Sequence, residues 1–145
     1  MSDVALSVRI LSVRFGKGQD RRSVVDNISF SIKAGEALGL VGESGCGKTM
    51  TARAIMGLLS STGASVNSAG VEINGSDIST LDAVARRAVL GRDIAMIFQQ
   101  PGTAVDPVFT LGRQIGAVRR RHGGGTRKQI RESMLESLAS VGFSE

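Results

Sequence analysis

The sequence predicts an α/β fold with an added antiparallel β segment at its start, and three observations carry that reading. A short apolar run at residues 37–41 leads straight into a glycine-rich turn, and the turn opens a helical pattern over residues 50–59. Strand-like and helix-like patterns then alternate along the rest of the 145-residue chain, as they do where parallel strands are joined by helices. Ahead of all this, two alternating runs joined by a short polar loop suggest an antiparallel pair.

Over residues 4–15, Val4, Leu6, Val8 and Ile10 share one parity while Leu11, Val13 and Phe15 share the other, so a strand with a slip or bulge is expected. Residues 16–22 read as a polar, glycine-containing turn. Residues 24–32 read as a second strand with Val24, Asp26, Ile28, Phe30 and Ile32 on one face. Ala34, Gly35 and Glu36 turn the chain into residues 37–41, whose continuous apolar character predicts a buried parallel strand.

After the helix over residues 50–59, residues 60–69 are rich in Ser, Thr, Gly and Ala and read as a loop, and Val71, Glu72 and Ile73 as a short strand. Asn74-Gly75 signals a tight turn. Ser79 and Thr80 begin another helix, with Asp82 in its first turn, that runs to about Leu90 before Gly91. Residues 93–98 are again almost wholly apolar and predict a second buried strand, ending at Gln99-Gln100-Pro101 because proline cannot donate to a ladder. Residues 102–109 form a loop. Thr110 caps a helix with Leu111, Ile115 and Val118 along one face. Thr126 and Gln129 make a capping box for the next, which Ile130, Met134, Leu138 and Val141 line and Gly142 stops. Residues 1–100 would form the β segment and the core around the glycine loop, with a loop and two helices over residues 101–145.

Bulk properties narrow the function classes. A hydrophobic content of 41% is globular, no apolar run reaches the ~20 residues a bilayer crossing needs, and residues 1–20 lack a signal peptide's regions. A soluble, cytosolic chain is expected. The single cysteine, Cys46, excludes an internal disulfide and a multi-cysteine metal site. A net charge of +5 would permit contact with nucleic acid, but aromatics are only 3% and leave few side chains for stacking on bases. The densest basic run, Arg119-Arg120-Arg121-His122, precedes three glycines and reads as the solvated end of a helix, its cations near the negative end of the dipole.

The chemistry is concentrated in Gly42-Glu43-Ser44-Gly45-Cys46-Gly47-Lys48-Thr49, a match to the phosphate-cradling pattern G-x-x-x-x-G-K-[ST]. Glycines let the backbone curl so that successive N–H groups face phosphate oxygens. Lys48 adds a mobile cation, and Thr49 a hydroxyl for Mg2+. Cys46 matters there more for its small size than for its thiol. A glycine-rich chain can produce such a pattern as a plain structural turn, but the order of strand, loop and helix is the one that phosphate binding requires, with the helix N-terminus aimed at the anion.

A phosphate loop alone leaves several nucleotide-using classes open. The Asn-Lys-x-Asp guanine motif is not found, and a glutamine stands some fifty residues after Lys48 at the end of a predicted strand. The stretches Val41 through Thr49 and Ala95-Met96-Ile97-Phe98-Gln99-Gln100-Pro101, continuing through Asp106-Pro107-Val108-Phe109-Thr110-Leu111-Gly112, resemble the ATP-binding subunits of ABC importers for oligopeptides, dipeptides and nickel. The resemblance implies a P-loop, ABC-type nucleotide-binding domain with an N-terminal antiparallel β segment, incomplete in this chain, in which residues 101–145 hold the Q-loop and the beginning of a helical subdomain. It implies ATP and Mg2+ as cofactors, with ATP held by Gly42, Glu43, Ser44, Gly45, Cys46, Gly47, Lys48, Thr49 and Met50, Phe15 stacked on the adenine, and Mg2+ contacted by Thr49 and by Gln99, the Q-loop glutamine. Phe15 also reads as a strand-end core residue, and Gln99 as an ordinary polar strand end.

The same resemblance implies permease membrane subunits, a second ATP-binding subunit and, indirectly, a solute-binding protein as partners, with no nucleic acid expected, and a cytoplasmic location on the inner face of the membrane. Cys46 and Gln100 stand where serine and an acid are common, and Gly102 and Asp106 where Met and Asn are frequent; none of these removes a phosphate contact. The sequence to Glu145 does not contain the family's Leu-Ser-Gly-Gly signature, Walker B Asp-Glu or switch His, so no complete catalytic set is expected, with Lys48 and Gln99 in supporting roles. Two other readings stand beside this one: a binding module that holds nucleotide without turning it over, and, on charge alone, a basic nucleic-acid-binding protein.

Overall fold

The computed structural model describes residues 3–16, 21–59, 62–100, 102 and 104–143. They form two compact units, residues 1–87 and residues 88–145.

The first unit is built on a long antiparallel pair. Strand β1 (Val4–Phe15) lies between β2 (Arg22–Lys33) on one side and, on the other, β3 (Ser65–Asn67) and β4 (Gly70–Ile73), with β5 (Ser76–Asp77) outside β4. Every one of these pairings is antiparallel. The change of parity read at residues 10–11 is a real bulge. Ile10 sits at φ 49° and Asn27 at φ 50°, and the register shifts between Val8 and Leu11 and again between Leu11 and Val13.

A bulge leaves donors without a ladder partner, and here two serines supply the acceptors. The Ile10 N–H donates to Ser29 Oγ at 2.9 Å. The Asn27 N–H donates to the buried Ser12 Oγ at 3.0 Å, and that hydroxyl donates in turn to Asn27 Oδ1 at 3.1 Å. The bulge at Asn27 also corrects the expected face of β2. Val25, not Val24 or Asp26, is the buried residue, opposite Val13, while Asp26 faces solvent near Arg14. The extra residue flips the parity of everything N-terminal to it.

Between β4 and β5, Asn74 (φ 48°) and Gly75 (φ 79°) make the two-residue turn that their identities demand, with Ile73 opposite Ser76. Asp77 Oδ1 then accepts from the Ser79 hydroxyl at 2.6 Å and the Ser79 N–H at 2.8 Å, and the hydroxyl above all holds its carboxyl below the ordinary range. Helix α1 (Lys48–Ile55) covers one face of the sheet. Thr51, Ala54, Ile55, Met56 and Leu59 are buried with Val8, Leu11, Val13, Val71 and Ile78.

The expected parallel strands are not formed. Residues 37–41 carry no strand pairing, and Leu38, Leu40 and Val41 are exposed, Val41 almost completely. Residues 93–98 contribute only a single parallel bridge between Leu90 and Ile94, and Ile97 is equally bare. Apolar character makes a strand only where neighbouring strands complete the hydrogen bonds, and no described strand runs beside either segment. The end of the second run at Pro101 lies outside the described residues, as do residues 17–20 of the first turn and residues 60–61 of the loop.

Helix α2 (Ala83–Val89) starts later than expected because Asp82 is its cap and not a first-turn residue, its Oδ1 accepting from the N–H groups of Val84 and Ala85. In the second unit, α3 (Leu111–His122) and α4 (Arg127–Ser140) pair as a helical hairpin. Thr110 caps α3, and Thr126 with Gln129 completes the capping box of α4. Helix α4 ends in a Schellman motif, with Phe143 N–H donating to Leu138 O and Gly142 N–H to Ala139 O.

The α3 face is corrected. Leu111 and Val118 are exposed, and the residues set against α4 are Gly112 beside Met134 and the buried Gly116 beside Ile130. Glycines win this position because their missing side chains let the helix axes approach. On α4, Val141 is exposed. His122 is half-buried against Gly91 instead of fully solvated.

Truncating Leu11, which is fully buried at the bulge, to alanine is expected to cost the first unit about 3 kcal/mol. Thr126→Ala is expected to cost the second about 1 kcal/mol. Urea unfolding of the two variants checks the order.

Candidate functional site: the glycine loop at the start of α1

The site begins where β2 meets the loop. Gly47, at φ 98°, caps α1 without any side-chain cap of its own. It backs onto the sheet so closely that an added Cβ would lie 2.5 Å from Val24 O and 3.2 Å from Val25 Cγ2. The bulge at Asn27 therefore reaches the site, because it sets which β2 residues meet Gly47. Thr51 fixes the same corner from the helix side, its hydroxyl and its N–H both donating to Gly47 O.

From that anchor the loop curls around Lys48. Its Nζ donates to Gly42 O at 2.7 Å, to Glu43 O at 2.8 Å and to Cys46 Sγ at 3.4 Å. The Cys46 N–H closes a turn onto Glu43 O. The cysteine is thus more than a small filler: its sulfur accepts from the lysine, and it lies 2.6 Å from where a Cβ on Gly42 would be. Gly45, at φ 84°, has open space around it.

The arrangement presents positive charge to solvent. The N–H groups of Lys48, Thr49 and Met50 head a helix and have no intrahelical acceptor. The exposed Thr49 hydroxyl makes no hydrogen bond among the described residues. Among the described residues the Lys48 cation is held by neutral acceptors alone, with no carboxylate paired to it. Orphan donors, helix dipole and unpaired ammonium converge on one place, and an anion with several oxygens satisfies all three. Phosphate groups fit this donor set.

The other expected contributors belong to other segments of the chain. Phe15 ends β1 opposite Arg22, half-buried, two residues along the strand from Val13, whose partner Val25 backs Gly47. Gln99 belongs to the second unit and is exposed in an irregular stretch. Sequence reasoning missed the role of Val24 and Val25 as the wall behind Gly47, for which no local pattern exists.

Comparison with known proteins decides the family. The profile of the ABC transporter family matches residues 25–145. The chain belongs to the ABC transporter family. Among curated relatives of this ABC protein, the dipeptide transport ATP-binding protein DppD of Haemophilus influenzae is 41% identical over 97% of the chain and 42% of its own length. The peptidoglycan transport ATP-binding protein YejF of Agrobacterium fabrum is 45% identical over 97% of the chain and 26% of its own length. The chain spans less than half the length of either. A solved ATP-binding cassette, dimeric and in a post-hydrolysis state bound to ADP and Pi, superimposes with a TM-score of 0.75 over 97% of this chain and 58% of that one, at 20% identity. The α/β cassette fold predicted from sequence is thereby borne out.

Two glycine substitutions separate curvature from contact. Gly45→Ala is expected to cost about 1 kcal/mol for its left-handed backbone alone. Gly47→Ala carries the same strain and a collision with the Val24 carbonyl, so a loss of about 3 kcal/mol or more is expected. Urea unfolding of both variants tests the difference.

Proposed function

We propose that this chain is the phosphate-binding part of the ATP-binding subunit of an ABC importer for peptides or a related solute. The observation that carries the proposal is the Lys48 ammonium, held over the mouth of the loop by three neutral acceptors beside the orphan N–H groups of α1. Those carbonyl bonds keep the cation in place without neutralising it. Phosphate oxygens entering the loop would compete for the lysine, because an ammonium is attracted more strongly to an anion than to a neutral carbonyl.

Residues Gly42 to Lys48 and Met50 would hold the phosphates through backbone N–H groups and the lysine, Thr49 and Gln99 would contact Mg2+, and Phe15 would meet the base. Bound MgATP supplies a phosphoanhydride whose cleavage releases free energy. What this chain's residues do is bind and orient it: the Gly47 anchor fixes the loop, and Lys48 gathers the charge.

The dipeptide transport relatives support a peptide or similar cargo. They support permease subunits as partners, and the dimeric neighbour supports a second ATP-binding subunit. No described helix is long and apolar enough to cross a membrane, so association with the cytoplasmic face of the membrane would come through those subunits. Hydrolysis coupled to transport is proposed for the assembled subunit.

Titration with a fluorescent ATP analogue in the presence of Mg2+ tests the reading. Lys48→Ala is expected to weaken binding about 10- to 100-fold, the worth of a charged hydrogen bond or two. Equal affinity for the two proteins would remove the loop from the account.

A further inference from the structure

The first unit holds a cavity that the glycine loop does not use. It measures about 230 Å3 and lies between α1 and the sheet, with Leu11, Ile55 and Val71 among its apolar lining and Ser68 and Arg86 among its polar lining. A cation beside packed core side chains calls for a partner. Arg86, from α2, is held by backbone: its Nη2 donates to Ile78 O at 2.8 Å and to Ser79 O at 3.3 Å. The guanidinium also lies against Gly57, where an added Cβ would collide with Nη1. Its Nε remains, and this is the one buried side-chain nitrogen or oxygen among the described residues that has no hydrogen-bond partner. A donor so placed is costly to leave unmade.

No carboxylate answers this charge. Among the described residues Arg86 makes no ion pair, and the acids close to it in the chain are committed elsewhere. Asp82 stands four residues before Arg86, the spacing of a helical ion pair, yet its Oδ1 accepts from the N–H groups of Val84 and Ala85. Asp77 Oδ1 accepts from Ser79, and Glu72 pairs with Arg9 at 2.7 Å. None of the three lines the cavity. Ser68 does line it, and its half-buried hydroxyl makes no hydrogen bond among the described residues. The cavity therefore offers two donors and one uncompensated cation.

We propose that this cavity binds a small oxyanion of the size of inorganic phosphate, with the Arg86 Nε–H and the Ser68 hydroxyl as its donors. Charge selects an anion over water. A water molecule would satisfy Nε and leave the guanidinium uncompensated, whereas an oxyanion does both through a charge-assisted bond. Size selects the class of anion. A molecule of liquid water takes about 30 Å3, so the space holds roughly seven or eight non-hydrogen atoms. Phosphate fits with a few waters, and a nucleotide does not. Val66, which is exposed, and Arg86, which is only half-buried, both line the cavity and leave it open to solvent. The proposal is independent of the nucleotide reading, because it uses no residue of the glycine loop.

The experiment follows the Arg86 Nε–H signal of the full chain by NMR during titration with sodium phosphate at constant ionic strength, with sodium chloride and adenosine monophosphate as parallel titrants. Expected are a saturable shift with phosphate, none with chloride, and a response to adenosine monophosphate at least tenfold weaker. Phosphate can also enter the glycine loop, so the titration is repeated on the Lys48→Ala protein, where the Arg86 response is expected to persist. Ser68→Ala, a small change at a half-buried position, is expected to weaken phosphate about tenfold, the worth of one hydrogen bond to a charged group. Ser68→Asp puts a carboxylate into the cavity and is expected to abolish the response, with Nε–H already shifted before phosphate is added. That shift cannot come from an unfolded protein. An Nε–H signal that phosphate moves no more than chloride does, an equal response to adenosine monophosphate, loss of the response in Lys48→Ala, or indifference to both Ser68 substitutions would each overturn the proposal.

Discussion

Gly47 is the position on which the site depends. It joins three things that must agree: the end of the phosphate loop, the start of α1 and the inner face of the antiparallel pair. No residue with a side chain fits, because Val24 O occupies the place a Cβ would take. Once the glycine is seated, the helix N–H groups point outward and the loop has one direction left in which to curl. Lys48 closes that curl by bonding to Gly42 O and Glu43 O. The first unit is therefore a platform whose packed sheet aims a cluster of donors, and the donors define what it takes.

The bulged pair shows how far such dependence extends. Ser12 and Ser29 look like ordinary strand serines, yet they satisfy the N–H groups that the bulges at Asn27 and Ile10 release. Without those acceptors the bulges would leave donors unpaired, Ser12's within the core. A straight β2 would present Val24 to the core in place of Val25 and withdraw the wall behind Gly47. A pair of hydroxyls on one strand pair thus bears on how the glycine loop is seated.

Much of this is legible in the sequence because it is written in local chemistry. The alternation of β1, its change of parity, the Asn74-Gly75 turn, the Thr110 and Thr126 caps and the phosphate loop each depend on residues within a few positions of one another. The failures share the opposite character. Residues 37–41 and 93–98 have strand composition, but a parallel strand is a property of its neighbours, and the structure places none beside them. Asp26 lies on the face opposite to the one its parity predicts because Asn27 absorbs a residue. On α3 the glycines, silent in a hydrophobic pattern, take the packing face expected of Leu111 and Val118.

On the proposed function, the glycine loop is already shaped for phosphate, and Lys48 exchanges its own carbonyls for the ligand. Backbone and lysine side-chain NMR signals followed during titration with MgATP test it most directly. Saturable shifts at the amides of Gly45, Gly47, Lys48, Thr49 and Met50, with the Lys48 ammonium moving in step and the amides of α4 unchanged, are predicted. An unchanged loop at saturating nucleotide, or shifts confined to α3 and α4, would contradict it.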